Sequence, residues 1–212
     1  MKLTVFGATG GIGTRLVRLA LDEGHEVTAV VRDPGRLPAG LRERAAVVRA
    51  DVMDPAAIEP AVKGADAVVS AMGARGAGPT TVCGDSSRSI IAAMRATGAG
   101  RFLMVSMGAI STEPGDDPLT RYVVKPLVLS RILRHGIADM RVAEAQVRDS
   151  GLDWTIVRPP RLTNKEGRGR YRKAVDRSVT GGYNITRDDV ARALLDLTGD
   201  LASIGHVISI AG

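Results

Sequence analysis

The feature that most constrains this chain is MKLTVFGATGGIG at residues 1–13, where the apolar run Leu3 to Phe6 feeds a glycine-rich turn that opens a helical pattern. Gly7, Gly10 and Gly13 recur at three-residue spacing, with Gly11 as a fourth. Side chains at such a turn would keep a pyrophosphate away from the backbone N–H groups. The following helix brings the positive end of its dipole to the same place. Glycines also serve plain tight turns, so the flanking chain has to supply the meaning.

Ile12 to Glu23 places Ile12, Leu16, Leu19 and Ala20 at helical spacing, and Gly24 stops the helix. His25 begins the return, and EVTAVV (Glu26 to Val31) is a β-branched run. The first thirty-one residues therefore read β-turn-α-β, the crossover in which a glycine motif acquires a nucleotide-binding sense. Units of this kind usually hold the ribose of NAD with an acidic residue after the second strand. Here the strand ends in Arg32-Asp33, with Arg36 four residues on. Two guanidinium groups converging there suit a 2′-phosphate, which favours NADP, while Asp33 pulls toward NAD.

The rhythm continues. Ala45 to Asp51 reads as a third strand, and Asp54-Pro55 as the N-cap and first residue of a short helix ending near Gly64. Ala65 to Ala71 is a buried fourth strand, followed by the small-residue loop MGARGAG. Thr80-Thr81 can cap a helix to about Thr97, and Arg101 to Val105 is a fifth strand with Ser106 at its carboxyl end. A helix from about Leu119 to Arg134 must kink or restart at Pro126. Another, Ile137 to Ser150, carries Glu144 on its apolar stripe, either as a structural acid paired with a cation or as a site acid. DWTIVRPPRLT is a sixth strand stopped by Pro159-Pro160, Thr186 caps a further helix, and His206 to Ile210 closes with a strand. Strands alternating with helices predict an α/β fold, a doubly wound parallel sheet of the NAD(P)-binding Rossmann type, forming one domain over residues 1–212. Its cofactor half covers about 1–110, with a small C-terminal substrate-binding portion over about 111–212. Ligands in such sheets bind beyond the carboxyl ends of the strands.

Bulk properties narrow the partners. The net charge of +6 favours an anionic ligand, yet only 3% of residues are aromatic, too few for base-stacking platforms, so nucleic acid is disfavoured. A single cysteine, Cys83, excludes a disulfide within the chain and suits a reducing, cytoplasmic setting. Neither a signal peptide nor a membrane-spanning stretch is expected. No metal site is expected, and nothing specifies an oligomeric state.

GATGGIG, VRDPGRLP, the ADV around Asp51, AMGARGAGPTTV, SIIAAMRATGAGRFLMVS and SGLDWTIVRPPRLT together resemble the atypical short-chain dehydrogenase/reductase proteins. The flavin reductase/biliverdin-IX-beta reductase branch and its bacterial NAD(P)H-binding relatives are nearest. The resemblance covers nearly the whole chain and is diffuse between about 111 and 140. It implies that Gly7, Thr9, Gly10, Gly11, Ile12 and Gly13 line the pyrophosphate and that Arg32 and Arg36 meet the 2′-phosphate. It further places Asp51 and Val52 beside the adenine, Met72, Gly73 and Arg75 along the middle of the dinucleotide, and Ser106, Pro159 and Pro160 around the nicotinamide.

Two departures bear on chemistry. Ordinary short-chain dehydrogenases use Tyr-x-x-x-Lys, in which the lysine lowers the pKa of the phenol. Four residues after Tyr122, Tyr171 and Tyr183 lie Pro126, Val175 and Arg187, so the pair is absent. The reductase branch does not need it, because a flavin or conjugated tetrapyrrole accepts hydride directly and takes its proton from solvent. Ser106 would then orient rather than ionise. Where those reductases would place a histidine near the substrate, this chain has Arg161, suited to a carboxylate or phosphate, with FMN one candidate. The expected activity is NADPH-dependent hydride transfer to a flavin, quinone or similar small acceptor. The alternatives are a non-catalytic NAD(P)-sensing or partner-binding regulator, motivated by the missing Tyr-x-x-x-Lys pair and the basic stretch 164–177, and more weakly a nucleotide-sugar epimerase or dehydratase.

Overall fold

A computed structural model describes residues 1–74, 76, 78–110 and 133–212. The doubly wound sheet expected from the sequence is present. Its strands are β1 (Lys2–Phe6), β2 (Glu26–Val31), β3 (Ala46–Arg49), β4 (Ala67–Ser70), β5 (Arg101–Val105), β6 (Asp153–Arg158), β8 (Arg172–Val175) and β10 (His206–Ala211). They are ordered β3-β2-β1-β4-β5-β6-β10-β8. Every pairing in it is parallel except that of β8 with β10. A separate small sheet pairs β7 (Arg161–Thr163) with β9 (Asn184–Thr186).

Alternation along the strands sorts the core into two layers. Leu3, Val5, Val69, Leu103 and Ile208 pack with α1 (Gly13–Asp22) and α6 (Arg187–Thr198) on one face. Phe6, Val68, Phe102, Met104 and Ile156 pack with α3 (Pro55–Val62), α4 (Val82–Thr97) and α5 (Arg134–Arg148) on the other. Thr4 is a polar residue on the second face, and its hydroxyl donates to the Ala61 carbonyl at 2.5 Å. A four-residue helix, α2 (Ala39–Arg42), was not expected from its sequence, and it buries Leu41 against the first layer. Among the described residues no helix is long and apolar enough to cross a membrane.

Local chemistry explains most boundaries. Asp54 caps α3 through the N–H groups of Ala56 and Ala57, with Pro55 at the first helical position, as expected. Gly98 closes α4 at φ 75°, a left-handed conformation that favours glycine. The cap at the other end of α4 differs from the expectation. Thr81 stands at the N-cap without a side-chain cap bond, and Thr80 accepts only from Val82 N–H at 3.3 Å. The buried carboxylate of Asp139, on α5, instead accepts from Cys83 and Gly84 N–H at 2.9 and 2.8 Å. A cap supplied from a helix fifty-five residues away leaves no local sequence signal.

The sixth strand stops at Pro159-Pro160 as expected, and what the sequence did not announce is that the chain resumes as a strand beyond them. β6 ends at Arg158, and Arg161 to Thr163 resume as β7 in the other sheet, because two successive prolines remove two ladder N–H donors. The basic stretch 164–178, expected as a solvated loop or edge, contributes the antiparallel edge strand β8. The helix expected from Leu119 through Pro126 lies outside the described residues up to position 132, as do Tyr122 and Lys125.

Burial, followed by the charge of Asp139, pushes the Cys83 thiol up to about 12. It is therefore protonated at neutral pH. Ellman's reagent should label Cys83 far more slowly in the native protein than in urea. Asp139→Ala should lower the unfolding free energy by about 2 kcal/mol, read by urea denaturation, because two α4 amides lose their partner.

Candidate functional site

The glycine turn is shaped first by its own backbone. Gly7 sits at φ 75°, and a Cβ there would come within 2.6 Å of the Ala71 carbonyl oxygen. A Cβ on Gly13 would lie 2.2 Å from the carbonyl oxygen of Gly7, which also accepts from Gly10 N–H at 2.8 Å. These glycines let the end of β1, the start of α1 and the end of β4 approach closely.

The turn leaves the start of α1 open. Ile12 stands at the N-cap and makes no side-chain cap bond, and the first turn of the helix carries no acidic residue. The N–H groups of Gly11, Ile12 and Gly13 find no acceptor among the described residues. Three outward amides at the positive end of a helix form an anion-binding arrangement.

Beside this turn lies a cleft of about 540 Å³ at the carboxyl ends of β1, β2 and β4. It is lined by Phe6, Gly7, Thr9 and Gly10 from the first unit, by Val31, Arg32, Ala50 and Val52 across from them, and by Met72, Gly73 and Pro79 to Val82 along the third side. Seven of the residues singled out from the sequence, Gly7, Thr9, Gly10, Arg32, Val52, Met72 and Gly73, thus share one hollow. Asp33 is turned away from that role, because its carboxylate accepts from Gly35 N–H at 3.0 Å and caps the short turn Pro34–Arg36. Arg36 and Asp51 are exposed on the loops flanking the cleft, and Asp51 accepts from Met53 N–H. Arg75 lies outside the described residues.

Ser106 and Pro159 are both buried and are not among the residues that line the cleft; they stand together at the ends of β5 and β6. Ser106 N–H donates to the Val157 carbonyl and Gly108 N–H to that of Pro159, both at 2.8 Å. Arg161 is exposed at the start of β7.

Glu144 resolves the choice left open by the sequence in an unexpected way. It is buried and pairs with the buried Arg158, whose Nε donates to Oε1 at 2.9 Å and whose terminal nitrogen reaches Oε2. It also accepts from the Ser106 hydroxyl at 2.6 Å. The structural acid is therefore in direct contact with the candidate site serine. Since the Ser106 proton is committed to a carboxylate, its oxygen can act only as an acceptor toward a further group. The spacing along α5 could have flagged an acid on an apolar stripe, but not the strand residues it meets.

Fold and cleft together define a doubly wound protein of the dinucleotide-binding Rossmann class. The model of the NAD(P)H-binding family matches residues 7–200, and the chain belongs to that family. It is 33% identical over 202 residues to the Bacillus subtilis protein YhfK, called an uncharacterized sugar epimerase, covering 92% of this chain and 86% of that one. A short-chain dehydrogenase/reductase from Veillonella parvula in complex with NADP superposes with a TM-score of 0.83 at 22% identity, covering 100% of this chain and 94% of that one. ChuY, an anaerobillin reductase from Escherichia coli O157:H7, superposes with a TM-score of 0.80 at 23% identity, covering 100% and 97%.

Glu144→Leu leaves the Arg158 charge buried without this carboxylate. It should cost about 3–5 kcal/mol in urea denaturation, whereas Ser106→Ala should cost about 1 kcal/mol.

Proposed function

We propose that the protein is an NADPH-dependent reductase that passes hydride to a flavin, quinone or similar conjugated acceptor. The observation carrying this reading is the single cleft onto which the glycine turn and Arg32 both face, beside the uncapped start of α1. The residues present fit a dinucleotide. The amides of Gly11 to Gly13 would hold the pyrophosphate, Arg32 with Arg36 the 2′-phosphate, Val52 and Asp51 the adenine side, and Met72 and Gly73 the middle. Arg32 lines the cleft while Asp33 is occupied by Gly35, which supports NADP over NAD.

Bound NADPH supplies the hydride. The chain's own residues position it. Ser106, its proton held by Glu144, would accept a hydrogen bond from the nicotinamide carboxamide, and Pro159 would border the ring. With no Tyr-x-x-x-Lys pair in the sequence, the proton that follows hydride onto the acceptor comes from solvent, which conjugated acceptors allow. Arg161, exposed at the start of β7, would meet an acidic group on the acceptor, a phosphate such as that of FMN being one candidate. The reductase name of ChuY, a protein of the same fold, agrees with this reading.

The partner-binding alternative rested on the missing tyrosine-lysine pair and on the basic stretch, and part of that stretch is used inside the fold. Lys173 pairs with Asp200 at 2.8 Å, and Arg172 donates to the carbonyls of Thr180 and Gly212. The sugar-epimerase name of YhfK points elsewhere, but this chain lacks the tyrosine-lysine pair for that chemistry.

Stopped-flow oxidation of NADPH against flavins, quinones and biliverdin should show turnover above background with at least one acceptor, and none with any would overturn the proposal. Arg32→Ala should weaken NADPH by about ten- to a hundredfold and spare NADH. Equal loss for both would remove the NADP assignment. Ser106→Ala should slow hydride transfer by about tenfold and leave the pH profile unmoved, as expected of an orienting group.

A further inference from the structure

Gly11 differs from the other glycines of the turn. A Cβ on Gly7 or Gly13 would strike backbone, whereas one on Gly11 would lie 2.8 Å from both Cδ and Nε of Arg187. Arg187 is the first residue of α6 and reaches across onto the turn that starts α1. One of its terminal nitrogens donates to Oδ1 of Asn164 at 2.7 Å, so the guanidinium is held by a neutral amide.

The acids next to it in the chain, Asp188 and Asp189, are both engaged elsewhere. The neighbouring Arg15 is paired with Asp188 at 2.8 Å and donates to the Gly11 carbonyl. The other acid of that turn, Asp189, is also engaged, accepting from the N–H groups of Arg168 and Gly169 and from the Thr186 hydroxyl. Among the described residues no carboxylate pairs with Arg187. Two helix N-termini, those of α1 and α6, meet here, and a cation at a helix N-terminus is unfavourable by itself. An anion on the open amides of Gly11 to Gly13 would reverse that sign.

We propose that Arg187 is a second phosphate-binding arginine, recognising the diphosphate bridge of the dinucleotide where it crosses the glycine turn. The assignment rests on the reading of the cleft as a dinucleotide site. Asn164 sets the orientation of the guanidinium, and its planar fork suits two phosphate oxygens. A side chain at position 11 would meet Arg187 and displace its guanidinium from over the turn. Arg187 thus serves the diphosphate as Arg32 serves the 2′-phosphate, and the two charges separate the part of the ligand common to NADH and NADPH from the part that distinguishes them.

The test is calorimetric titration of NADPH, NADH and adenosine 2′-monophosphate into the wild type, Arg187→Ala and Arg187→Gln. Glutamine keeps the polar contact to Asn164 without the charge, should alanine compromise the fold. Both variants should weaken NADPH and NADH by the same factor, about ten- to a hundredfold, and leave adenosine 2′-monophosphate unchanged. Arg32→Ala should give the complementary pattern, losing NADPH and adenosine 2′-monophosphate while sparing NADH. Inorganic pyrophosphate should raise the Tm of the wild type and not of Arg187→Gln. Unchanged dinucleotide affinity in both Arg187 variants overturns the assignment, as does an equal loss of adenosine 2′-monophosphate. A wild type that binds both dinucleotides yet reduces no acceptor removes the reductase reading alone, and the equal loss on Arg187→Gln would still support this one. A wild type that binds neither dinucleotide overturns both.

Discussion

The carbonyl of Gly7 receives the N–H of Gly10 and lies where a side chain on Gly13 would have to begin, while Gly7 itself backs onto the carbonyl of Ala71. These contacts lie at distances only hydrogen at Cα permits. They fix how α1 leaves the sheet, and hence which amides point outward and where the cleft opens between β1, β2 and β4. A side chain at position 13 would push β1 and α1 apart and close the arrangement. The glycines therefore serve the protein's own backbone first, and the open anion site follows from the geometry they impose.

Polar groups at the opposite ends of the strands are spent on holding the sheet. Arg101 is buried at the start of β5 and donates to the carbonyls of Asp153 and Leu197 and to the hydroxyls of Thr155 and Ser203, tying β5, β6 and α6 together. At the carboxyl ends the comparable buried set, Glu144 with Arg158 and Ser106, ties α5 to β6 and β5. A buried ion pair is a weak source of net stability but a strong constraint on position, since breaking it strands a charge in the core. That constraint holds the Ser106 hydroxyl in one orientation at the end of β5.

Much of the fold was legible because local chemistry repeats. EVTAVV and RFLMV announce strands by β-branched and apolar composition, Asp54-Pro55 announces a helix start, and Gly98 a helix end. The candidate cleft was legible in part for the same reason, since Gly7, Gly10, Arg32, Val52 and Met72 all fall at strand ends that a parallel sheet brings to one side. Long-range partners were not. The cap on α4 comes from Asp139, the partner of Ser106 from Glu144, and the side chain over Gly11 from Arg187; Glu144 stood out on an apolar stripe, yet no local pattern named the partner of any of the three.

The sequence by itself determined most strands of the parallel sheet, their alternation with helices and the family to which the chain belongs, because hydrophobic period, turn residues and the glycine motif are local and read without knowing what packs on what. The strand order and the antiparallel edge strand β8 emerged only in three dimensions. Tertiary structure alone decided that Asp139 caps α4, that Glu144 reaches a serine, and that Arg187 meets Gly11. Those outcomes depend on which side chains the crossovers bring within about 3 Å. Hydrogen bonding and charge pairing act only at that range, so residues remote in sequence acquire their roles when the sheet closes the distance between them.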